Sequence, residues 1–207
     1  MNFITHLEET AQRLKQAIEA SPGAAAVPTK DYGWVNHRWK SQLFRMAHLE
    51  IFNQDRFAVV HCCIFPHTYD PRPIFGFDVI AGESKVTGVF MDLSPTVNHS
   101  DPFTTLQLEK PRDRPEWGDI FSPHWIACRP NQAEMLAISD EAVAVLGRYL
   151  EQLSTHEMTP RYEDVINAQN HYCLQQRRNE HTLRAIKNLL GDDLAREFVE
   201  TVLFPTV

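Results

Sequence analysis

No stretch of this 207-residue chain is apolar for the roughly 18 residues that a membrane-spanning helix needs. The N-terminus lacks the basic, then apolar, then small-residue order of a secretory signal, so a cytoplasmic protein is expected. Cysteine is sparse: Cys62, Cys63, Cys128 and Cys173 are the four. None is spaced as C-x-x-C, which signals neither a zinc ribbon nor a redox dithiol, and buried free thiols are the plain expectation in a reducing compartment. Basic charge is outweighed, with 20 Lys and Arg against 27 Asp and Glu and a formal net charge of −7. That balance argues against nucleic-acid binding as the main task but leaves room for a local basic patch facing an acidic protein. No G-x-S-x-G, Walker or G-x-G-x-x-G segment occurs, and neither an internal repeat nor a low-complexity tract.

What is present is a chain with 43% hydrophobic and 23% charged residues, enough to bury a core as one globular domain over residues 1–207. Phe3, Leu7, Ala11, Leu14 and Ile18 recur at helical spacing, predicting a helix from Phe3 to Ala20 that Ser21-Pro22-Gly23 stops. Ala24 to Asp31 reads as a loop. Strands are expected over Gly33–Lys40, Ser41–Phe52, Arg56–Phe65, Pro73–Ala81 and Lys85–Leu93, close enough for an antiparallel meander. Along the second, Phe44, Met46, His48 and Glu50 share one face. Asn98–Glu116 is polar and proline-bearing, a long loop, and Ile120–Cys128 reads as a last strand. Helices follow: one over Asn131–Ser154, one started by Pro160, a long polar one over Ile166–Leu190, and a last one capped by Asp192 or Asp193 and ending near Leu203. The fold class expected is α/β: a three-layer α/β/α sandwich with a central antiparallel sheet flanked by helices.

The strand pattern places chemistry-bearing residues together. A hairpin that pairs Phe65 with Ile74 sets His61 opposite Asp78. A turn near Asn53-Gln54-Asp55 brings Glu50 beside His61. Two carboxyls and an imidazole on neighbouring strands form a coupled proton network suited to protonating a substrate. Spacing alone reads first as a satisfied Asp78–His61 core pair with a solvated Glu50, and second as this network. His61-Cys62-Cys63 and His171-Tyr172-Cys173 could supply metal ligands, but adjacent strand residues point to opposite faces, which makes His61 and Cys62 a poor joint set, and no metal is expected. Trp34, Trp39, Phe75, Phe90, Trp117 and Trp125 read first as core aromatics and second as a ligand platform.

One ordered set of segments is specific. It comprises Phe44-Arg45-Met46-Ala47-His48-Leu49-Glu50, His61-Cys62-Cys63-Ile64-Phe65-Pro66, Pro73-Ile74-Phe75-Gly76-Phe77-Asp78-Val79-Ile80-Ala81-Gly82 and Met91-Asp92-Leu93-Ser94-Pro95. Trp117-Gly118-Asp119-Ile120-Phe121-Ser122, Arg129-Pro130, His171-Tyr172-Cys173, Asn179 to Thr182 and Val202-Leu203-Phe204-Pro205 complete it. Over about residues 40–205 this order resembles the ferredoxin-dependent bilin reductases, most of all the branch that makes phycocyanobilin and its phage-encoded relatives.

The resemblance implies the α/β/α sandwich and biliverdin IXα as substrate, held between the sheet and the C-terminal helices. It implies no bound cofactor; electrons come singly from a [2Fe–2S] ferredoxin, and the bilin passes through radical intermediates. Matched to the family, Glu50 lies near the D-ring vinyl group, and His61 and Asp78 are the central proton donors. His48, Thr87 and Arg129 match positions at or near the propionates. The run Asn179-Glu180-His181-Thr182 departs from a family pattern of aspartate then lysine after the asparagine. Glu180 then delivers a proton on the A-ring side, and His181 is a weaker propionate partner. The loop before Trp117 is short for the family. The lineage features favour phycocyanobilin, through reduction to the 18-ethyl group. The altered helix motif favours phycoerythrobilin through 15,16-dihydrobiliverdin, which is the expectation adopted, with a non-catalytic bilin carrier as the alternative of another kind. A monomer is expected, docking an acidic ferredoxin on a basic rim drawn from Arg38, Lys40, Arg45, Arg177, Arg178 and Lys187.

Overall fold

The computed structural model describes residues 2–54, 56–97, 102–106, 111–155 and 158–207. Seven strands form one sheet in strict chain order: β1 Ala25–Ala26, β2 Val35–Lys40, β3 Phe44–Gln54, β4 Phe57–Pro66, β5 Ile74–Gly82, β6 Val86–Ser94 and β7 Ile126–Cys128. Every neighbouring pair is antiparallel. Helices α1 Phe3–Glu19 and α2 Gln132–Ser154 cover one face. The other carries α3 Tyr162–Gln176, α4 Glu180–Leu190, α5 Asp192–Phe198 and a closing π-helical turn, Val199–Leu203. This is the expected three-layer sandwich. It accounts for the near-continuous apolar runs of β4 and β5, since a sheet covered on both faces has no solvent side. Val60, Cys62 and Ile64 pack toward α1 and α2, and Cys63 and Phe65 toward the C-terminal helices.

Local chemistry sets the ends. The Asn2 side chain caps α1 by accepting from the Ile4 N–H at 2.9 Å. Asn131 and Glu134 form a reciprocal capping box at α2. Gly191 takes φ 77° between α4 and α5, a backbone region that favours glycine.

Several expectations need correction. Ala25–Ala26 is a short edge strand, not loop, paired with Lys40 and Trp39. The last strand is only Ile126–Cys128, because Gly118–Ile120 winds into a 3-10 turn. The long helix of 166–190 is two helices. Asn179 breaks it by turning its side chain onto the His181 and Thr182 N–H groups, at 3.2 and 3.3 Å, and so starting a new one. Neither Asp192 nor Asp193 caps α5; Gly191 holds the cap position, and Asp192 pairs with Lys187 at 2.9 Å. Phe44 leaves the face it was expected to share with Met46. A bulge between them pairs Phe44 with Pro66 and Met46 with Phe65, which turns Phe44 toward α1 and α2. Of the expected turn Asn53-Gln54-Asp55 and loop Asn98–Glu116, residues 55, 98–101 and 107–110 lie outside the described residues.

Candidate active site

The register of three hairpins builds the site. Asn36, Glu50, His61, Asp78 and Phe90 stand opposite one another on β2 to β6, so their side chains project from one face. Arg38, His48, Cys63, Gly76 and Asp92 form the parallel row two residues along. The expected pairing of His61 with Asp78 and of Glu50 with His61 is therefore realised.

Within the rows the polar groups link. His61 uses Nδ1 toward Asp78 Oδ1 and Nε2 toward His48 Nε2, the latter at 2.8 Å with the rings stacked. The Trp34 indole N–H donates to Glu50 Oε2 at 2.8 Å. Burial pushes the Glu50 carboxyl from an ordinary 4.5 up to about 7, against the Trp34 hydrogen bond and the His61 and Arg38 charges, which pull it down. Burial, with the His61 and Arg38 charges, holds His48 well below the usual histidine range. Burial also pulls His61 down, but the Asp78 charge and hydrogen bond, with the Glu50 charge, outweigh it and the net shift is upward. Of the two imidazoles His61 is the better proton holder; when protonated it donates to both Asp78 and His48, and a neutral His48 accepts at Nε2. A proton held between an imidazole and one carboxyl group, beside a second carboxyl pushed up to about 7, can be given up and recovered.

Four residues of this block have buried side-chain atoms with no hydrogen-bond partner: Asn36 Nδ2 and Oδ1, Arg38 Nε, His48 Nδ1 and Glu50 Oε1. Each such atom costs about 1–3 kcal/mol, so the fold tolerates a concentrated penalty at this one place. Asp78 is the more exposed of the pair: its side chain is 36% exposed, against 12% for His61. Aromatic rings flank the pair. The Phe204 ring meets His61 edge-on at 5.9 Å, and the Arg177 guanidinium fixes it by donating twice to the Phe204 carbonyl, at 2.7 and 3.1 Å. On the far side Phe90 packs on Phe121 and Trp125, at 4.8 and 5.8 Å. The Asp92 carboxylate ties that aromatic segment down. It accepts from the Ser122 N–H at 3.0 Å, the Ser122 hydroxyl at 2.5 Å and the Ser94 hydroxyl at 2.6 Å.

The remaining expected residues stand apart from this cluster. Thr87 is exposed in an irregularity of the β5–β6 pairing, its hydroxyl donating to the Ile80 carbonyl at 3.1 Å. Arg129 is exposed just after β7. Asn179 serves as the α4 cap, and Glu180 and His181 are exposed in the first turn of that helix. The structure brings none of these five into hydrogen-bonded contact with Glu50, His61 or Asp78.

Four of the six expected rim cations are otherwise engaged. Arg38 lies opposite His48 on the site face, where its Nη2 reaches the Met46 sulfur at 3.6 Å. Arg45 stacks over Phe65 at 4.8 Å and donates to Gln169 at 2.7 Å. Arg177 holds Phe204. Lys40 and Arg178 are exposed, and Lys187 is paired with Asp192.

Trp34, Asn36 and Arg38 were not legible as site residues. A β2–β3 register drawn through the Ser41-Gln42 turn would have found Asn36 and Arg38, since it sets them opposite Glu50 and His48. Among the described residues no group of three or more His, Cys, Asp and Glu is placed to hold a metal ion, and no helix is long and apolar enough to cross a membrane.

Comparison with known proteins follows the same lines. Residues 24–205 match the sequence model of the family described as "Ferredoxin-dependent bilin reductase". Phycocyanobilin:ferredoxin oxidoreductase of Synechococcus elongatus is 32% identical over 184 residues, covering 82% of this chain and 74% of that protein. The solved structure of a protein named PcyX superposes with a TM-score of 0.72 at 29% identity, covering 97% of this chain and 99% of that one. The fold, though not more, is shared with phytochromobilin synthase from tomato, solved in complex with biliverdin, at a TM-score of 0.71 and 14% identity, covering 97% of this chain and 82% of that one.

Proposed function

The chain belongs to the ferredoxin-dependent bilin reductase family, and on that premise we propose that it reduces biliverdin IXα to a phycobilin in one domain spanning residues 1–207, with electrons from reduced [2Fe–2S] ferredoxin. Each double bond removed takes two electrons, one from each of two ferredoxins, and two protons, so the bilin passes through a radical between them. The protons come from the sheet face. Asp78, the more exposed of the pair, meets the substrate and His61 resupplies the proton from behind it, while Glu50 serves a second position on the substrate.

The observation that carries this reading is the linked row Glu50–His61–Asp78 with His48 behind it, in which burial pushes the Glu50 carboxyl up to about 7. The unpartnered atoms of Asn36, Arg38, His48 and Glu50 support it, because a tetrapyrrole with terminal lactams offers both donors and acceptors to such a wall. In this reading Thr87 and Arg129 receive the propionates near the far strand ends, and Asn179, Glu180 and His181 close over the other side, with Glu180 supplying the A-ring proton. The proposed product is phycoerythrobilin through 15,16-dihydrobiliverdin. Ferredoxin docks transiently, and the exposed Lys40 and Arg178 are the cations left to meet its acidic surface.

Anaerobic incubation of biliverdin IXα with reduced ferredoxin, followed by chromatography of the bilins, tests this. The expected result is 15,16-dihydrobiliverdin followed by phycoerythrobilin. Phycocyanobilin through the 18-ethyl intermediate would leave the reductase and overturn the product. Tight binding of biliverdin that no ferredoxin reduces would make the protein a bilin carrier instead.

A further inference from the structure

Trp34 lies just before β2, and its indole is braced on three sides. It stacks on Tyr32 at 5.8 Å and meets Phe52 edge-on at 5.9 Å and Phe198 of α5 edge-on at 5.1 Å. A ring held so firmly is a fixed donor, because an indole has only two side-chain torsions and both are locked by the packing. Its N–H donates to one oxygen of Glu50, Oε2, at 2.8 Å. The other, Oε1, is buried without a partner.

We propose that Trp34 is a positioning residue for Glu50: its N–H pins Oε2 so that Oε1 alone is left to exchange a proton with the substrate, and it sets how readily that proton is released. The proposal rests on the reading of Glu50 as a proton donor and deepens it. An N–H group binds an ionised carboxylate more strongly than a neutral carboxyl, so it opposes the upward push of burial on Glu50. It also removes a degree of freedom. A carboxyl held by one oxygen offers the other at a fixed place, and displacement of a donor by an ångström is enough to change which atom of a substrate it reaches.

The other groups facing Glu50 do not substitute for this contact. His61 lies opposite on β4 and Arg38 beside it on β2, and both act through charge. Asn36 lies opposite on β2 with both amide atoms unpartnered. His48, two residues along β3, engages His61 through Nε2, and its Nδ1 makes no hydrogen bond to Glu50. From α5 the Phe198 ring meets Trp34, and the neighbouring Glu197 is paired at the surface with Lys30 at 3.0 Å.

The test reads Glu50 directly. The carboxyl band of Glu50 is followed by infrared difference spectroscopy across pH in the wild type and in Trp34→Phe, and is identified by its loss in the matching Glu50→Gln proteins. Phenylalanine keeps an aromatic ring in the brace and removes the donor. The titration midpoint is expected to rise from about 7 by about one pH unit or more. Benzothienylalanine at position 34 keeps the indole shape without the N–H and is expected to give the same rise, which separates the donor from the packing. Anaerobic turnover of biliverdin is then compared across pH. In both variants the alkaline limb is expected to follow the new midpoint, and the share of the product that depends on Glu50 to change. An unmoved midpoint in both variants would overturn the proposal, as would a moved midpoint with an unchanged pH profile and product ratio. If the midpoint moves and no protein reduces biliverdin, the hold of Trp34 on Glu50 stands, and it is the reductase reading that fails.

Discussion

Replacing Glu50 by glutamine should make the protein more stable at pH 8 and change little at pH 4. Glu50 is 5% exposed, and burial lifts its carboxyl from 4.5 to about 7. The folded state therefore keeps the proton over a range in which the unfolded chain has already lost it. Stability falls with rising pH wherever the folded state binds more protons. The contribution is thus fully present below pH 4.5, declines between pH 4.5 and about 7, and is gone above. At 1.36 kcal/mol per pH unit, the cost of ionising Glu50 in place is roughly 3 kcal/mol. Glutamine cannot ionise, yet its amide oxygen still accepts from Trp34. Any constant cost of the buried amide cancels when the stability difference between variant and wild type is compared at two pH values. The assay is equilibrium denaturant unfolding of both proteins at intervals from pH 4 to pH 8. The difference should grow in favour of Glu50→Gln by roughly 3 kcal/mol, most of it between pH 5 and pH 8. A difference that stays flat, or that turns against the variant as pH rises, would refute the claim that Glu50 is held near-neutral by burial.

Other outcomes follow from single contacts. Asn179→Ala removes the cap that starts α4, and should cost about 1 kcal/mol in denaturant unfolding and speed amide exchange at His181 and Thr182; unchanged exchange there would mean that the cap does not hold the helix. Asp92→Ala strands two serine hydroxyls and a backbone N–H, and should cost about 2 kcal/mol or more while loosening Phe121 and Trp125 against Phe90. Tryptophan fluorescence that does not change on that substitution would contradict the anchoring role.

The residues that form the centre of the site were legible because a strand buried on both faces has little freedom of register. Slipping β4 against β5 by one position would turn His61 and Asp78 away from each other and send apolar neighbours to the wrong layer. The helices of the first layer were equally plain, since Phe3, Leu7, Ala11, Leu14 and Ile18 form one stripe. Where the reading failed, the cause was local hydrogen bonding that periodicity does not register. Asn179 looks like any polar residue of a long helix until its side chain turns onto the next backbone N–H groups. The bulge at Arg45 adds one residue to a strand whose alternation is otherwise regular. Arg38 reads as a surface cation in the sequence because a lone arginine on a strand near the edge carries no sign of facing inward. Trp34 was counted among core aromatics, and its packing is of that kind, but its N–H serves Glu50. The cap role of Asn179 also bears on the proposed part of its neighbours, because it fixes where Glu180 and His181 begin the helix.

The proposed reductase activity depends on the Asp78–His61 pair and not on bilin binding alone. Asp78→Asn keeps the shape and removes the charge that holds the His61 proton. Biliverdin affinity from absorption titration and anaerobic turnover with reduced ferredoxin are measured side by side on wild type and variant. The account predicts affinity within about threefold of wild type and product formation slower by about a hundredfold or more, the scale of a lost general acid. Turnover of the variant at the wild-type rate would contradict it.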